Sequence, residues 1–371
     1  MLKILNIIGR RPTGGIGSVV KNYQSHFTEG IQYDYLLFSD EKEGAFDSYV
    51  KGLGSNVYVV PSLSLKNMFE INRRLNEMFS EIAKNYQVVH IHTVNVAFLV
   101  ARKAKKNGIK KIIAHSHATN YSDSKIKAIR NKILCLNLKK LATHYVACSY
   151  EAGEFLFGKK SMQQNNVKIV KNAIEISDYN YSDKKRISFR EELNFTKDDY
   201  VIGCIGRLTP QKNIKFALDV FSQLKKYKNS NKYKIVIVGE GPEYEMLRNF
   251  AKTSDICNSV YFLGYRNDIK NILCGIDLFL MPSLYEGLPV IGVEALSSGL
   301  PCIFSDSISK EFQSSKSFYI SLDSTKEYWC NQIDKISQQK VDRKQTDTVE
   351  LGYDINIEAK KLIQYYREIV G

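Results

Sequence analysis

The sequence predicts an α/β protein made of two Rossmann-like domains, each with a parallel sheet, and three observations carry that expectation. Short, β-rich apolar runs alternate with helical stretches along the chain, the pattern of parallel strands joined by right-handed crossovers. The 371 residues are too many for one ordinary core and suit two domains of roughly 180 residues each. A polar stretch, SDYNYSDKKR at 177–186, interrupts the alternation before it restarts, and reads as a linker.

In the first half, strands are expected near 2–9, 32–38, 56–60, 87–92, 110–115, 143–148 and 167–171. Helices fall between them, near 17–29, 66–85, 95–107, 124–141 and 149–157. The second half repeats the pattern with VIGCIG (201–206), YKIVIVG (233–239), SVYFLG (259–264), IDLFLM (276–281) and PCIFS (301–305), each followed by a helical stretch. At the end of the chain, Ala359, Leu362, Ile363, Tyr366 and Ile369 recur at helical spacing. The expected organisation is a domain over 1–180, a second over 181–355, and a terminal helix over 356–371 that packs back on the first domain.

Composition bounds the function classes. With 44% hydrophobic and 25% charged residues the chain is an ordinary globular protein. No run approaches the roughly 18 uncharged apolar residues that span a bilayer, and the short run at the N-terminus, closed by Arg10 and Arg11, reads as a strand rather than a signal peptide. Seven scattered cysteines without a CxxC fit free thiols in a reducing, cytoplasmic setting. The net charge of +14 is uneven: residues 1–180 hold 26 Lys and Arg against 14 Asp and Glu, or +12, which leaves +2 for the rest. That field suits an anionic membrane surface or a phosphorylated substrate, and the absence of zinc-finger, RNP-like or helix-turn-helix patterns puts nucleic acid last.

The sharpest motif is PSLYEGLPVIGVEALSSGLP (282–301), which sets Glu286 and Glu294 eight residues apart around a turn that runs into a helix. With that helix starting near Leu288, its N-terminus offers the amides of Gly287, Leu288 and Val290 to a phosphate or sugar hydroxyl, and Glu294 could accept hydrogen bonds from a ribose diol. The plainer alternative makes Glu286 a helix cap and Glu294 a solvated helix residue. IGRLTPQKN (205–213) follows a strand, so Arg207 and Lys212 lie at the carboxyl end of a parallel sheet, where such domains bind ligands. Two cations around that turn are what a diphosphate needs, bound or leaving. VGEGPEY (238–244) and LGYRNDI (263–269) add two further strand-to-helix turns.

In the first half, PTGGIGSVVKNY (12–23) joins strand to helix through Gly14, Gly15 and Gly17, where backbone amides can approach an anion or sugar. It lacks the third glycine of a dinucleotide fingerprint, and no acidic residue ends the second strand, which counts against a nicotinamide enzyme. VHIHTV (89–94) and AHSHATN (114–120) each close a strand with two histidines on one side. Without carboxylate or cysteine partners they match metal-ligand spacings poorly, and no metal is assigned. His90 and His115 read as core or hydrogen-bonding histidines; His117, farthest out, is the better site candidate.

Together these segments resemble the retaining GT-B glycosyltransferases of the sucrose-synthase-like family (glycosyltransferase family 4), in particular bacterial members that make exopolysaccharide or capsule. The resemblance runs from GGIG (14–17) through HSHATN (115–120), GRLTPQKN (206–213), VGEGP (238–242) and FLGYRNDI (262–269) to 282–301, where Glu286 and Glu294 reproduce an E-x7-E pattern. It implies two Rossmann-like domains facing across a cleft, the first binding acceptor and the second a nucleotide sugar. Arg207 and Lys212 would hold the donor diphosphate, Glu294 the ribose, and Glu286 with Gly287 and Leu288 the donor sugar. Gly15 and Gly17 would touch the phosphate or acceptor side, Glu240 would belong to a loop facing the nucleotide, and Tyr265 and Arg266 would flank the base. His117 would match the active-site histidine, with His115 as the alternative. Gly17 stands where many relatives carry an acidic residue.

The implied reaction is a metal-independent, cofactor-free hexosyl transfer with retention, from a UDP-sugar to a glycan or lipid-linked saccharide acceptor. GDP remains open as the carrier. No DxD occurs in the chain, so the cations and helix ends would stabilise the leaving diphosphate. The basic segments 102–111 and 125–140, the latter with Ile126, Ile129, Ile133, Leu134 and Leu136 partly on one face, suit peripheral contact with anionic headgroups. The rival functions are a non-hydrolysing UDP-sugar epimerase and a non-catalytic GT-B scaffold subunit.

Overall fold

A computed structural model describes residues 1–12, 14–27, 30–122, 124–228 and 231–371. Thr13 of the expected glycine loop and residues 28–29 of the expected first helix lie outside the described residues. The chain divides into two compact units, Met1–Ile174 with Asp354–Gly371, and Glu175–Tyr353.

The first unit holds strands β1 (Leu2–Ile8), β2 (Ile31–Phe38), β3 (Val57–Val60), β4 (Val88–Ile91), β5 (Lys111–Ser116), β6 (His144–Ala147) and β7 (Val167–Ile169). They form one parallel sheet in the order β3-β2-β1-β4-β5-β6-β7. Its central strands are apolar on both faces, as in Ile4, Leu5, Ile7 and Ile8 of β1, because helices cover both sides. Those helices are α1 (Gly15–Ser25), α2 (Ala45–Gly52), α3 (Met68–Ile82), α4 (Ala97–Lys106), α5 (Lys125–Cys135), α6 (Leu138–Leu141), α7 (Tyr150–Phe157) and α8 (Lys159–Gln163). The single helix expected over 124–141 is thus two, α5 and α6. The short helix α2 escaped the sequence reading.

The second unit opens with α9 (Asp183–Glu192) and continues through β8 (Tyr200–Ile205), α10 (Ile214–Lys228), β9 (Tyr233–Val238), α11 (Tyr244–Thr253), β10 (Val260–Gly264), α12 (Ile269–Gly275), β11 (Leu278–Met281), α13 (Val290–Ser297), β12 (Cys302–Ser305), β13 (Ser317–Ile320) and α14 (Lys326–Ser337). Its parallel sheet runs β10-β9-β8-β11-β12-β13. Trp329 of α14 and Phe221 and Leu224 of α10 are buried with β8 and β9 in one core, and Phe216 meets the Trp329 ring edge-on at 5.2 Å.

The stretch expected as a linker is partly α9. Its polar surface disguised it, yet Arg186 and Arg190 reach Asp277 at 2.6 and 3.2 Å and pin the helix to the second unit. The units divide at 174/175 rather than 180/181. The last helix, α15 (Ile355–Val370), lies in the first unit, where Tyr366 is fully buried and Ile355 N–H donates to Ile174 C=O at 3.0 Å. Among the described residues no helix is long and apolar enough to cross a membrane.

Candidate functional site

In each sheet the strand order reverses once, between β1 and β4 and between β8 and β11, and ligands of open parallel sheets bind beyond the carboxyl ends of the strands at such a reversal. In the second unit two loops leave those ends, 206–213 after β8 and 282–289 after β11. They are stitched together. Leu284 N–H donates to Gln211 C=O at 2.8 Å, Gln211 Nε2 to Tyr285 C=O at 3.0 Å, and Asn213 Nδ2 to Pro282 C=O at 3.1 Å. Across the seam, Lys212 Nζ meets Glu286 Oε1 at 2.5 Å, with the two side chains 15% and 9% exposed. Gln211 Nε2 also donates to Glu286 Oε2 at 3.3 Å.

The plainer alternative of Glu286 as a simple helix cap does not describe it: it is buried and holds Lys212, and the helix that follows has no side-chain cap. An ammonium has three donors, so the grip of Glu286 orients Lys212 and leaves capacity for a phosphate oxygen. Arg207 is exposed, and among the described residues its guanidinium has no hydrogen-bond or ion-pair partner. The β8 loop packs under the β9 loop, where a Cβ on Gly239 would lie 2.0 Å from Gly206 O and one on Gly241 2.2 Å from Leu208 O. The glycines of VGEGP therefore serve loop contact directly. Glu240 beside them is exposed.

The helix after β11 starts later than expected, at Val290 with Pro289 before it and no side-chain cap. Gly287 and Leu288 are buried in the loop ahead of it. Glu294 is consequently in the second turn, and it is not a solvated residue. Tyr179 donates its hydroxyl to Glu294 Oε1 at 2.8 Å, and burial raises the carboxyl's pKa against the opposing effects of that bond and of Lys270. Tyr179 lies in the polar stretch read as linker, and no feature of the sequence marks it. Tyr265 is 66% exposed. The Arg266 guanidinium is occupied by Asp268 at 2.7 Å and Glu192 at 2.5 Å, so it clamps the turn to α9 instead of standing open beside a base.

In the first unit the reversal collects four histidines. Asn6 lies on β1, His90 on β4 with His92 just past its end, and His115 on β5 with His117 just past its end. His90 stacks on His92 at 4.2 Å between centroids and His115 on His117 at 3.9 Å. Tyr33 and Tyr366 hydroxyls lie 2.5 Å apart, Tyr366 Oη is 2.6 Å from His90 Nδ1, and His90 Nε2 is 3.1 Å from His115 Nδ1. A second chain joins His117 Nε2 to His92 Nδ1 at 2.9 Å and His92 Nε2 to Asn6 Oδ1 at 3.1 Å. Burial pushes His90 and His117 down to about 3, and also lowers His92 and His115, so all four are neutral at pH 7.

His90, His92 and His115 are close enough to share a cation, with ligand atoms within 4.8 Å of one another. The donor set fits one poorly: both nitrogens of His90 and of His92 already bond other side chains. Between the two histidines left open by the sequence, His115 is buried with Nε2 unpartnered, while His117 is half-buried and the more accessible. In the glycine loop, Gly14 and Gly15 are exposed, and α1 begins at Gly15 without a side-chain cap. Gly17 is buried, and a Cβ there would lie 2.8 Å from Pro12 Cβ, so its role in this structure is packing.

Comparison with known proteins follows this division of the chain. Residues 13–178 match the Glycosyltransferase Family 4 domain and residues 185–312 the domain of Glycosyl transferases group 1. The chain is 27% identical over 376 residues to glycosyltransferase EpsF of Bacillus subtilis (strain 168), covering 98% of this chain and 96% of that protein. It is also 27% identical over 280 residues to the UDP-Gal:alpha-D-GlcNAc-diphosphoundecaprenol alpha-1,3-galactosyltransferase of Escherichia coli, covering 74% of this chain and 68% of the relative. Among solved structures, Anabaena HepE in complex with UDP-glucose superposes with a TM-score of 0.81 at 17% identity, over 99% of this chain and 100% of HepE. The chain is a glycosyltransferase of the GT-B fold, composed of a family 4 domain followed by a group 1 domain.

Proposed function

We propose that this glycosyltransferase moves a hexose from a UDP-sugar, with retention and without a metal ion, to a lipid-linked saccharide in the assembly of a surface polysaccharide. The observation that carries the reading is the seam between the β8 and β11 loops, where Glu286 orients Lys212 in the loop that also carries Arg207, an exposed guanidinium with no partner among the described residues. The Lys212–Glu286 pair is neutral as a unit, so Arg207 supplies the charge that draws in a diphosphate, and Lys212 turns a free N–H to the oxygen that leaves. Glu294, steadied by Tyr179 on one oxygen, keeps the other for the ribose diol. Glu286 with Gly287 and Leu288 faces the sugar, and transfer takes place on the face the phosphate leaves, its oxygen helping to deprotonate the acceptor hydroxyl.

HepE binds UDP-glucose, and the Escherichia coli relative acts on a diphosphoundecaprenol acceptor; both support the donor and acceptor classes proposed here. A panel of nucleotide sugars tests the reading. At a hundredfold excess over Kd, ligand binding adds about 2.7 kcal/mol, a rise in Tm of several degrees for a UDP-sugar. Product analysis then shows the α-anomer formed with EDTA present. No stabilisation by any nucleotide sugar overturns the reading, and release of an epimer with no acceptor present replaces it.

A lipid-linked acceptor needs a route to the membrane, and α5 offers one. Ile126, Ile129, Ile133 and Leu136 are 82%, 62%, 60% and 71% exposed, recur at spacings of three and four residues on one stripe, and are interleaved with Lys125, Lys127, Arg130 and Lys132. Leu134 is half-buried and leaves the stripe. The protein is expected to float with anionic liposomes and not neutral ones, and an Ile129→Glu/Ile133→Glu variant to lose that association. Association insensitive to both salt and these substitutions argues against the surface.

A further inference from the structure

The two hydrogen-bonded histidine chains differ in one respect: only one of them has an anchored direction. Asn6 Nδ2 donates to the backbone carbonyl of Asp34 at 3.4 Å, and a main-chain carbonyl can only accept. With the amide reversed, two oxygens would face each other there. Asn6 Oδ1 therefore points at His92, and the bond of 3.1 Å requires a proton on His92 Nε2. A neutral imidazole carries one proton, so His92 Nδ1 is bare and must accept. Its partner at 2.9 Å, His117 Nε2, is then the donor, which leaves His117 Nδ1 without a proton. Burial keeps both rings neutral, so protonation does not erase this order.

The other chain has no such anchor. Tyr33 and Tyr366 can each donate or accept, and the chain ends at the unpartnered His115 Nε2. Either polarity satisfies the same number of bonds.

We propose that Asn6 and His92 are positioning residues that fix His117 as the Nε2–H tautomer, so that its free edge is a hydrogen-bond acceptor, selective for the hydroxyl of a sugar and against phosphate oxygens or other bare acceptors. This rests on the proposed sugar-transfer reading for the identity of the ligand, but not for the tautomer itself. The arrangement resembles that of metal- or substrate-facing histidines elsewhere, whose second nitrogen is bonded to a group that sets which ring atom is available. Here the setting runs back through a second imidazole and an amide to the main chain of β2. Three strands, β1, β2 and β4, thereby determine what one side chain past β5 can bind.

The test is tautomer assignment by histidine ¹⁵N NMR on the full chain at pH 7.5, without ligand. His92 and His117 are expected to show a protonated Nε2 and a bare Nδ1. In Asn6→Leu, which loses both amide bonds at similar volume, the His117 pattern should become an average of the two tautomers. The His90 and His115 signals, which belong to the chain that Asn6 does not touch, should stay as in the wild type. A protonated Nδ1 on His117 in the wild type, or an Asn6→Leu protein with an unchanged pattern, overturns the proposal whether or not the enzyme is a sugar transferase. In the transfer assay, Asn6→Leu should lower kcat/KM for the donor about tenfold with the His90 and His115 signals unmoved, whereas mere loosening of β1 would shift those signals too. If the tautomers behave as stated but no nucleotide sugar binds, the sugar-transfer reading fails and the positioning role of Asn6 and His92 stands.

Discussion

Arg207→Ala is expected to slow sugar transfer by about 10²–10³-fold while leaving the stability of the protein within about 0.5 kcal/mol of wild type. Both halves follow from the same observation: the guanidinium is exposed and, among the described residues, partnerless, so the folded protein without ligand loses nothing when it goes. Lys212→Ala should cost as much in rate and, unlike Arg207→Ala, also destabilise, because Glu286 is left largely buried without its ammonium. Breaking a fully buried pair costs about 3–5 kcal/mol, and the 15% and 9% exposure of these side chains places the cost at the lower end. The double variant Lys212→Met/Glu286→Gln should recover stability and stay inactive. Single-turnover transfer and urea midpoints measured on the same preparations check each part. Unchanged turnover in Arg207→Ala removes the diphosphate assignment, and unchanged stability in Lys212→Ala removes the seam as a structural element.

The second large effect is on stability in mild acid. In the unfolded chain each histidine titrates near 6.5, whereas His90 and His117 are held down to about 3 when folded, chiefly by burial. For a histidine depressed in the folded state, stability is intact above the unfolded pKa, is lost as pH falls through it, and stops falling below the folded pKa. The window is therefore from about 6.5 down to about 3. At pH 5 each of the two contributes a loss of about 2 kcal/mol, or about 4 kcal/mol together, against a typical total of about 5–15. His92 and His115 are lowered as well and push in the same direction. Urea midpoints should fall steeply between pH 7 and 5, before most carboxylates titrate, and His90→Gln/His117→Gln should flatten that slope. A flat midpoint over this range would show that the cluster is hydrated and charged.

Much of the fold is legible along the chain because its cause is local. Apolar runs of four to eight residues followed by helical periodicity announce parallel strands, and every strand expected in the first half is present. β13 and α9 escaped for the opposite reason. The burial of β13 (SFYI) is mostly partial, and α9 is among the most polar helices of the chain, so neither stands out from a loop without its partners.

At the candidate site, sequence by itself determined the kinds of groups present: two cations after one strand, two carboxylates after another, and histidine pairs with side chains on one side of a strand, a consequence of the two-residue period. Which of these groups meet was decided by the order of strands in each sheet. Residues 212 and 286 touch because β8 and β11 are neighbours at the reversal, and Asn6 reaches His92 because β1 lies beside β4. Tyr179 on Glu294, and Glu192 and Asp268 on Arg266, are likewise products of packing. A side chain's chemistry is carried by its own atoms, but its charge, tautomer and availability depend on neighbours that only the folded chain brings within hydrogen-bonding distance.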